Sequence, residues 1–519
     1  MSSFNVKRRA LVDPNTPSLS TADGSPLSSF GELNVSQLTP AAQGDFIYGI
    51  NNLMFTTEAY STGSVTTGSS NFAIVNTNTS TTGSATVKLR RALKYRPGMG
   101  SLFRGTALFD TPKENNSQLI GVGNEDCGYY FGYQGTSFGI LHVETAYREI
   151  RKLDVTTAVT TNETVTITLD GSSIAVPITG SASKSKTAYQ IARQNYSNVG
   201  VGWRADVVSG SVFFLSSRAA STFTGSYSVA GSTIVGSFSV VQSGSSGIST
   251  FIPQSSFNID RIDGGASGGP NPSGFTINPQ KGNVYQVGFQ YLGFGNAFFG
   301  VESSETGRIV PVHMIKNDNN RTTPVLLNPQ VSGRLTSFNS GNNTNVAPKT
   351  LSMGVFTEGM VRRLDPRYGR AATFSSIGTS DVALLAFKVN AVVESKACYG
   401  EFDIVRIACA NNSALGANQA TAIISIHRNV DIPGTVDFVP VDTANSIVSV
   451  ADFSTAGTAV TTTNINPILT FGVAPSQGLS LDINTEELVY NVGDIILVTI
   501  RASNNTVSGV LGINWFEQQ

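Results

Sequence analysis

Charge is scarce in this chain: 13% of its 519 residues are Asp, Glu, Lys or Arg, about half the share usual in a soluble domain. The 34 basic and 35 acidic side chains nearly cancel, so no wholesale basic field exists to hold nucleic acid. The three cysteines, Cys127, Cys398 and Cys409, are too few and too far apart for a disulfide framework or a zinc cage. They read as buried thiols, with a Cys398 to Cys409 bridge between adjacent strands as the alternative. The three histidines, His142, His313 and His427, are scattered, each alone in an apolar strand. No run of about 18 apolar residues exists, which excludes a transmembrane helix. The basic start, Lys7-Arg8-Arg9, is followed by no apolar stretch and so is not a secretory signal. The expectation is a protein made in a cytoplasm that stays soluble or leaves inside a larger particle.

Glycine is abundant, at 52 residues, which suits a chain of many tight turns. The surface must be largely Ser, Thr, Asn, Gln and Gly, and such mild, near-neutral faces self-associate unless they are meant to meet neighbours. The expected partners are therefore copies of the same chain.

The organising stretch is Gly282 to Ile315. Tyr285, Val287, Phe289 and Tyr291 alternate with Val284, Gln286, Gly288 and Gln290, the pattern of a strand buried on one face. Ala297 to Glu302 and Arg308 to Ile315 follow as neighbouring strands, and their apolar face needs a second sheet to cover it. Tyr129 to Leu141 has the same aromatic and glycine texture and is read as the other half of one sandwich. Upstream, Phe46 to Ile50, Phe72 to Val75 and Ala85 to Lys94 read as strands. Lys88 and Arg90 fall opposite Val87 and Leu89, as on the solvated side of a half-buried strand.

Between the two aromatic stretches the texture changes. No aromatic residue occurs from Arg148 to Ala188. Asp170-Gly171 between two β-branched runs is a strong hairpin signal. Ser183 to Tyr196 has helical spacing and an N-cap serine. The fold class expected is mainly β: a jelly-roll sandwich with an inserted small α+β unit, then a second C-terminal β-sandwich or jelly roll. The domains expected are an extended N-terminal arm over 1–45, a discontinuous sandwich over 46–152 and 251–358, the inserted unit over 153–250, a basic linker over 359–380, and the C-terminal sandwich over 381–519.

Tyr95-Arg-Pro-Gly-Met-Gly100, Ile120-Gly-Val-Gly-Asn124, Gly128 to Gly139, Lys281 to Gln286, Tyr291-Leu-Gly-Phe-Gly295 and Thr322-Thr-Pro324 resemble a recurrent module in structural proteins of tailed phages and large eukaryotic DNA viruses. That module is similar to a concanavalin-like lectin fold, and the resemblance covers about residues 30 to 358. It implies a virion component, assembled in the host cytoplasm, and supplies no catalytic residues.

Candidate chemistry is sparse. A glycosidase needs two carboxylates on one strand face; Glu401 and Asp403 are the best placed, and Arg406 stands where a further acid would complete the arrangement. Asn124, Glu125 and Asp126 on one loop, with Asp260 and Asp263 on another, are candidate oxygen ligands for calcium, although turn chemistry also explains them. Tyr129, Tyr133 and Phe294 are candidate aromatic platforms for sugars, against core packing as the simpler role. The functional expectation is a non-enzymatic capsid-associated, vertex or fibre protein acting by oligomeric packing, as a trimer or pentamer with other capsid proteins. The alternative is a carbohydrate-binding adhesin that holds host glycans through the lectin-like sandwich.

Overall fold

The computed structural model describes residues 37–68, 70–93, 95–217, 223–265, 269–359, 365–413, 419–432, 434–453, 457–460, 466–483 and 489–518. Residues 1–36, most of the expected arm, lie outside the described residues.

Strand alternation in Asn283–Phe289 turns Tyr285, Val287 and Phe289 inward. This strand pairs with Ala297–Glu302, which pairs with Ile309–Ile315, as the sequence predicts. The full six-stranded sheet, sheet A, runs Leu38–Asp45, Ser352–Glu358, Gly100–Ala107, Asn283–Phe289, Ala297–Glu302, Ile309–Ile315. Leu38–Asp45 is therefore an edge strand of this sheet, not part of a free arm, and Phe46 to Ile50 turns away from it.

Sheet B faces sheet A and has seven strands, in the order Ser245–Pro253, Ser137–Tyr147, Gly128–Gln134, Asn116–Gly123, Ser332–Asn339, Ser84–Leu89, Phe55–Tyr60. Both aromatic stretches meet in the core between the sheets. Phe131 lies 5.0 Å from Tyr285 and 5.4 Å from Phe299, and Tyr129 lies 5.5 Å from Phe289, ring centroid to centroid. Edge-to-face and tilted pairs of this kind add to what area burial alone provides. On the outer side of sheet B, Tyr130 lies over Gly123 and Gly128; a β-carbon at Gly123 would fall 1.8 Å from its hydroxyl oxygen. Those two glycines admit the ring.

The helix-bearing unit is a four-stranded sheet, Trp203–Val208, Ser211–Ser216, Ile150–Thr157, Val235–Gln242, beside a three-stranded one, Ser172–Ile178, Glu163–Leu169, Ser228–Ala230. Its boundaries differ from 153–250: Ile150–Thr157 belongs to it from its first residue, and Ser245–Pro253 is already sheet B. The helix spans Lys184–Ala192, with the Ser183 hydroxyl accepting from the Lys186 amide at 3.2 Å. It ends before Tyr196 because the Asn195 side chain accepts the Ser197 amide at 2.9 Å, closing an Asx turn, while Tyr196 folds into the core beside Phe214.

The second sandwich pairs a five-stranded sheet with a seven-stranded one. The first, sheet C, contains Arg367–Ile377, Val507–Gln518, Glu401–Asn411 and Gln477–Asp482 in that order, with Val489–Asn491 also on Glu401–Asn411. Arg367–Ile377 falls in the expected basic linker. It is an edge strand instead, in register with Val507–Gln518, and Ala372, Phe374 and Ile377 enter the core. The other sheet, sheet D, is centred on Val382–Val389 and Ile495–Ala502. Leu385, Phe387, Ile496, Val498 and Ile500 face sheet C, whereas Ala383, Ala386, Ile495 and Leu497 join Leu153, Tyr189, Val207 and Phe214 of the inserted unit in one buried cluster. These two central strands of sheet D are thus covered on both sides, which explains their nearly unbroken apolar sequence.

The chain turn at Asp170-Gly171 has positive φ at both residues, 48° and 78°, the type I′ geometry that suits a two-residue hairpin. A β-carbon at Gly171 would meet nothing closer than 3.9 Å, so only backbone conformation opposes substitution. Gly171→Ala should destabilise by about 1 kcal/mol, seen as a lower urea midpoint with unchanged slope.

Candidate functional site

The three bodies meet around a cavity of about 350 Å³. Sheet B supplies Glu58, Tyr60 and Lys88 from its last two strands, and Glu125 comes from the loop after Asn116–Gly123. The inserted unit adds Arg204; Arg148 stands at its entry. The second sandwich adds Tyr399, Glu401, Arg428 and Asp494.

Cross-strand register explains why acids gather there. Lys88 and Arg334 are paired directly on adjacent strands, a repulsive arrangement unless an anion intervenes. Glu125 intervenes, 2.8 Å from Lys88 Nζ and 3.3 Å from Arg334 Nη2, and Glu58 takes Lys88 from the other side at 2.7 Å. Burial works against the Glu125 anion, but Lys88, Arg334 and Arg148 outweigh it and hold the carboxyl well below its usual range. Tyr399 donates to Asp126 at 2.7 Å and accepts from Arg148 Nη2 at 2.9 Å, tying sheet B to the second sandwich. Arg90 and Arg428 share Asp494. Burial raises the pKa of both Asp126 and Asp494 despite these cations. Beside the cavity, Arg96 grips Asp365 through two 3.0 Å bonds, and the Glu401 carboxylate accepts the Ala92 amide at 2.6 Å.

The inserted unit is fixed in the same way. Lys388 Nζ sits 2.8 and 2.9 Å from the Asp206 oxygens and 3.2 Å from Asn390 Oδ1, and Asp206 Oδ2 also accepts the Ala391 amide. Burial lowers the Lys388 pKa, opposed by Asp206.

These contacts revise several expectations. Lys88 and Arg90 are not a solvated strand face: Lys88 is committed to Glu58 and Glu125 of its own sandwich, and Arg90 to Asp494 of the second one. The calcium candidates do not converge, since the two loops are separate and their oxygens are engaged. Asn124 Oδ1 accepts the Asp126 and Cys127 amides, Asp260 accepts those of Ile262 and Ser273, and Asp263 accepts that of Gly265. Among the described residues no cluster of three or more His, Cys, Asp or Glu side chains could hold a metal ion. Tyr129 and Tyr133, at 0% and 8% exposure, are core residues and present no ring to a sugar, whereas Phe294 is 45% exposed. Glu401 and Asp403 are both buried, and a β-bulge after Ile404 sends Arg406 to the surface, where it pairs with Asp482 at 2.6 Å. All three cysteines are free thiols, and burial pushes Cys398 up to about 11 and Cys127 up to about 12.

A second, more open cleft of about 380 Å³ lies at the end of the first sandwich, between the edge strands Ser245–Pro253 and Ile309–Ile315. Its lining includes Glu144, Lys316, Asn320, Arg321 and Thr322. Arg321 pairs with Glu144 and also donates to Asn317 Oδ1 at 3.4 Å. The adjoining loop carries Phe294 and is held by Asn317, which donates to Gly295 O at 2.8 Å. No sequence pattern announces this cleft, because its residues come from loops and strands far apart in the chain.

No family model matches the chain, and no curated protein matches it. Among solved structures it is similar to lectin II from Ulex europaeus (8% identity, 62% of this chain and 100% of the lectin, TM-score 0.22). It is also similar to a botulinum neurotoxin serotype C1 binding domain (8% identity, 88% and 93%, TM-score 0.23). A third is the triple jelly-roll protein of an archaeal virus turret (7% identity, 93% and 97%, TM-score 0.17). No binding residue of those proteins is carried over to this chain.

Two outcomes are expected here. Lys388→Met should cost about 3 kcal/mol, because it strands Asp206 at a buried boundary, while Lys388→Met with Asp206→Leu should recover most of the loss; urea midpoints measure both. Burial lowers the pKa values of His142 and His313 from 6.5 to about 4, so both rings are neutral in the native chain at pH 7. Their contribution is complete above pH 6.5 and is lost as pH falls towards 4, where only the unfolded chain binds their protons. Asp126 and Asp494 act with the opposite sign. The measurement is therefore the stability difference between the wild type and His142→Gln, which should shrink by roughly 2 kcal/mol across that window.

Proposed function

We propose that this chain is a structural virion subunit, capsid-associated or part of a vertex or fibre, that acts by packing against copies of itself and other shell components. The carrying observation is where the charge lies. Several of its scarce ionic groups gather at the junction: Lys88 with Glu58 and Glu125 and Arg148 with Asp126 on the side of the first sandwich, Asp494 shared by Arg90 and Arg428 across the two sandwiches, and Lys388 with Asp206 across to the inserted unit. A chain built this way is one stiff block with a mild exterior, and large apolar side chains such as Phe298, Leu292, Leu53 and Tyr48 remain exposed. The sequence resemblance to virion proteins supports the particle setting. The cavity between the three bodies serves as a joint, its acids held by cations or backbone amides, which favours a non-enzymatic role.

The second reading, an adhesin for host glycans, is favoured by the open cleft with Asn320, Arg321, Thr322 and the neighbouring exposed Phe294. Polar side chains beside an aromatic face suit a sugar.

Light scattering on the purified chain should give the mass of a closed oligomer of two or more copies. A monomer at every concentration overturns the structural reading. Glycan-array binding abolished by Phe294→Ala together with Arg321→Ala would establish the adhesin.

A further inference from the structure

We infer that the outer face of sheet A is the surface on which a second copy of this chain packs, face to face; this rests on the assembly reading above. Register places one residue of each of the six strands in a single outward row: Pro40, Phe356, Leu102, Gly288, Phe298 and Met314. Across the whole sheet this row has no charged member. Phe298 is 51% exposed, and the hairpin just beyond it exposes Leu292 and Phe294.

Glycines lower the relief of this face locally. In the next row Gly354 and Gly300 alternate with larger residues, and side chains lie down over the glycines. A β-carbon would meet the Phe356 ring at 3.0 Å over Gly354 and Ile309 at 2.5 Å over Gly300, while Leu102 leans over Gly288 at 3.5 Å. With one uncharged row across all six strands and glycines in the next, the face can approach another sheet closely.

Three observations favour a second copy over an added strand or an unlike partner. Both edges of sheet A are blunted. Leu38–Asp45 carries Pro40 beside a register shift, and Ile309–Ile315 carries Pro311 opposite another. A proline and a bulge on each edge oppose strand addition there. Charge on the face is of both signs, with Arg104 near its centre and Asp45, Glu302 and Glu358 towards its rim. Among the described residues Arg104 bonds only Gln286 Oε1, at 2.8 Å, and no carboxylate. A twofold copy then brings its own complement. Six strands at about 4.8 Å spacing and about seven residues at 3.3 Å each cover roughly 650 Å². Two copies would bury roughly 1,300 Å², above the ~1,000 Å² that a specific interface requires.

The test is the association constant of the full chain, from light scattering over a concentration series, for the wild type, Phe298→Glu and Val240→Glu. Val240 is 53% exposed, but on the inserted unit. Phe298→Glu should weaken association at least about a hundredfold, since it would bury an unpaired carboxylate in the interface. Val240→Glu should leave it unchanged, and both should keep the wild-type Tm. If Phe298→Glu assembles like the wild type, this face is not the interface, although the assembly reading stands. The same conclusion follows if removing residues 1–36 dissociates the oligomer while Phe298→Glu does not. A monomeric wild type overturns both readings.

Discussion

Val382–Val389 and Ile495–Ala502 have no solvent side. Their alternate residues enter two different cores, one shared with sheet C and one shared with the inserted unit. Because side chains alternate with period two, a one-residue slip in either strand would exchange the two sets, putting Phe387 where Ala386 fits. The register of this pair therefore fixes the second sandwich and the inserted unit together. The inserted unit in turn leaves sheet B after Ser137–Tyr147 and returns at Ser245–Pro253, neighbouring strands of one sheet, so the first sandwich is tied in through two chain crossings.

Electrostatics completes what packing begins. Partly buried ion pairs are a doubtful source of net stability, but breaking one partner is costly. At the junction that asymmetry acts as orientation: Asp494 joins Arg90 of the first sandwich to Arg428 of the second, Tyr399 of the second bridges Asp126 and Arg148, and Lys388 holds Asp206 of the inserted unit. A rotation of one body would leave several such groups unpaired at once. With few charges in the chain and several of them committed at the junction, the outside is weakly polar, and sheet faces are left to govern contact with neighbours.

Much of this architecture was legible in the sequence. The Tyr285 to Tyr291 alternation gave the strand and its buried side, and Asp170-Gly171 gave the hairpin, because both are local consequences of backbone geometry. Lys88 and Arg90 were misread for a related reason: alternation says which side a residue faces but not what lies there, and here another body covers it. Tyr129 and Tyr133 failed as sugar platforms on the same ground. Arg367–Ile377 hid its strand behind three polar or glycine positions at its start, and only pairing with Val507–Gln518 reveals it. One available signal was passed over: Asp494-Ile-Ile-Leu-Val is apolar at consecutive positions, which marks a strand covered on both sides and so announces a neighbour.

The shared core also orders events in time. Leu153, Val165, Tyr189 and Phe214 are made first, yet the cluster that buries them includes Phe438, Ile495 and Leu497, which follow much later in the chain. During synthesis the early unit must wait with part of its apolar surface uncovered until these later strands leave the ribosome. Premature termination would not yield a smaller working version of the protein; it would yield a sticky fragment.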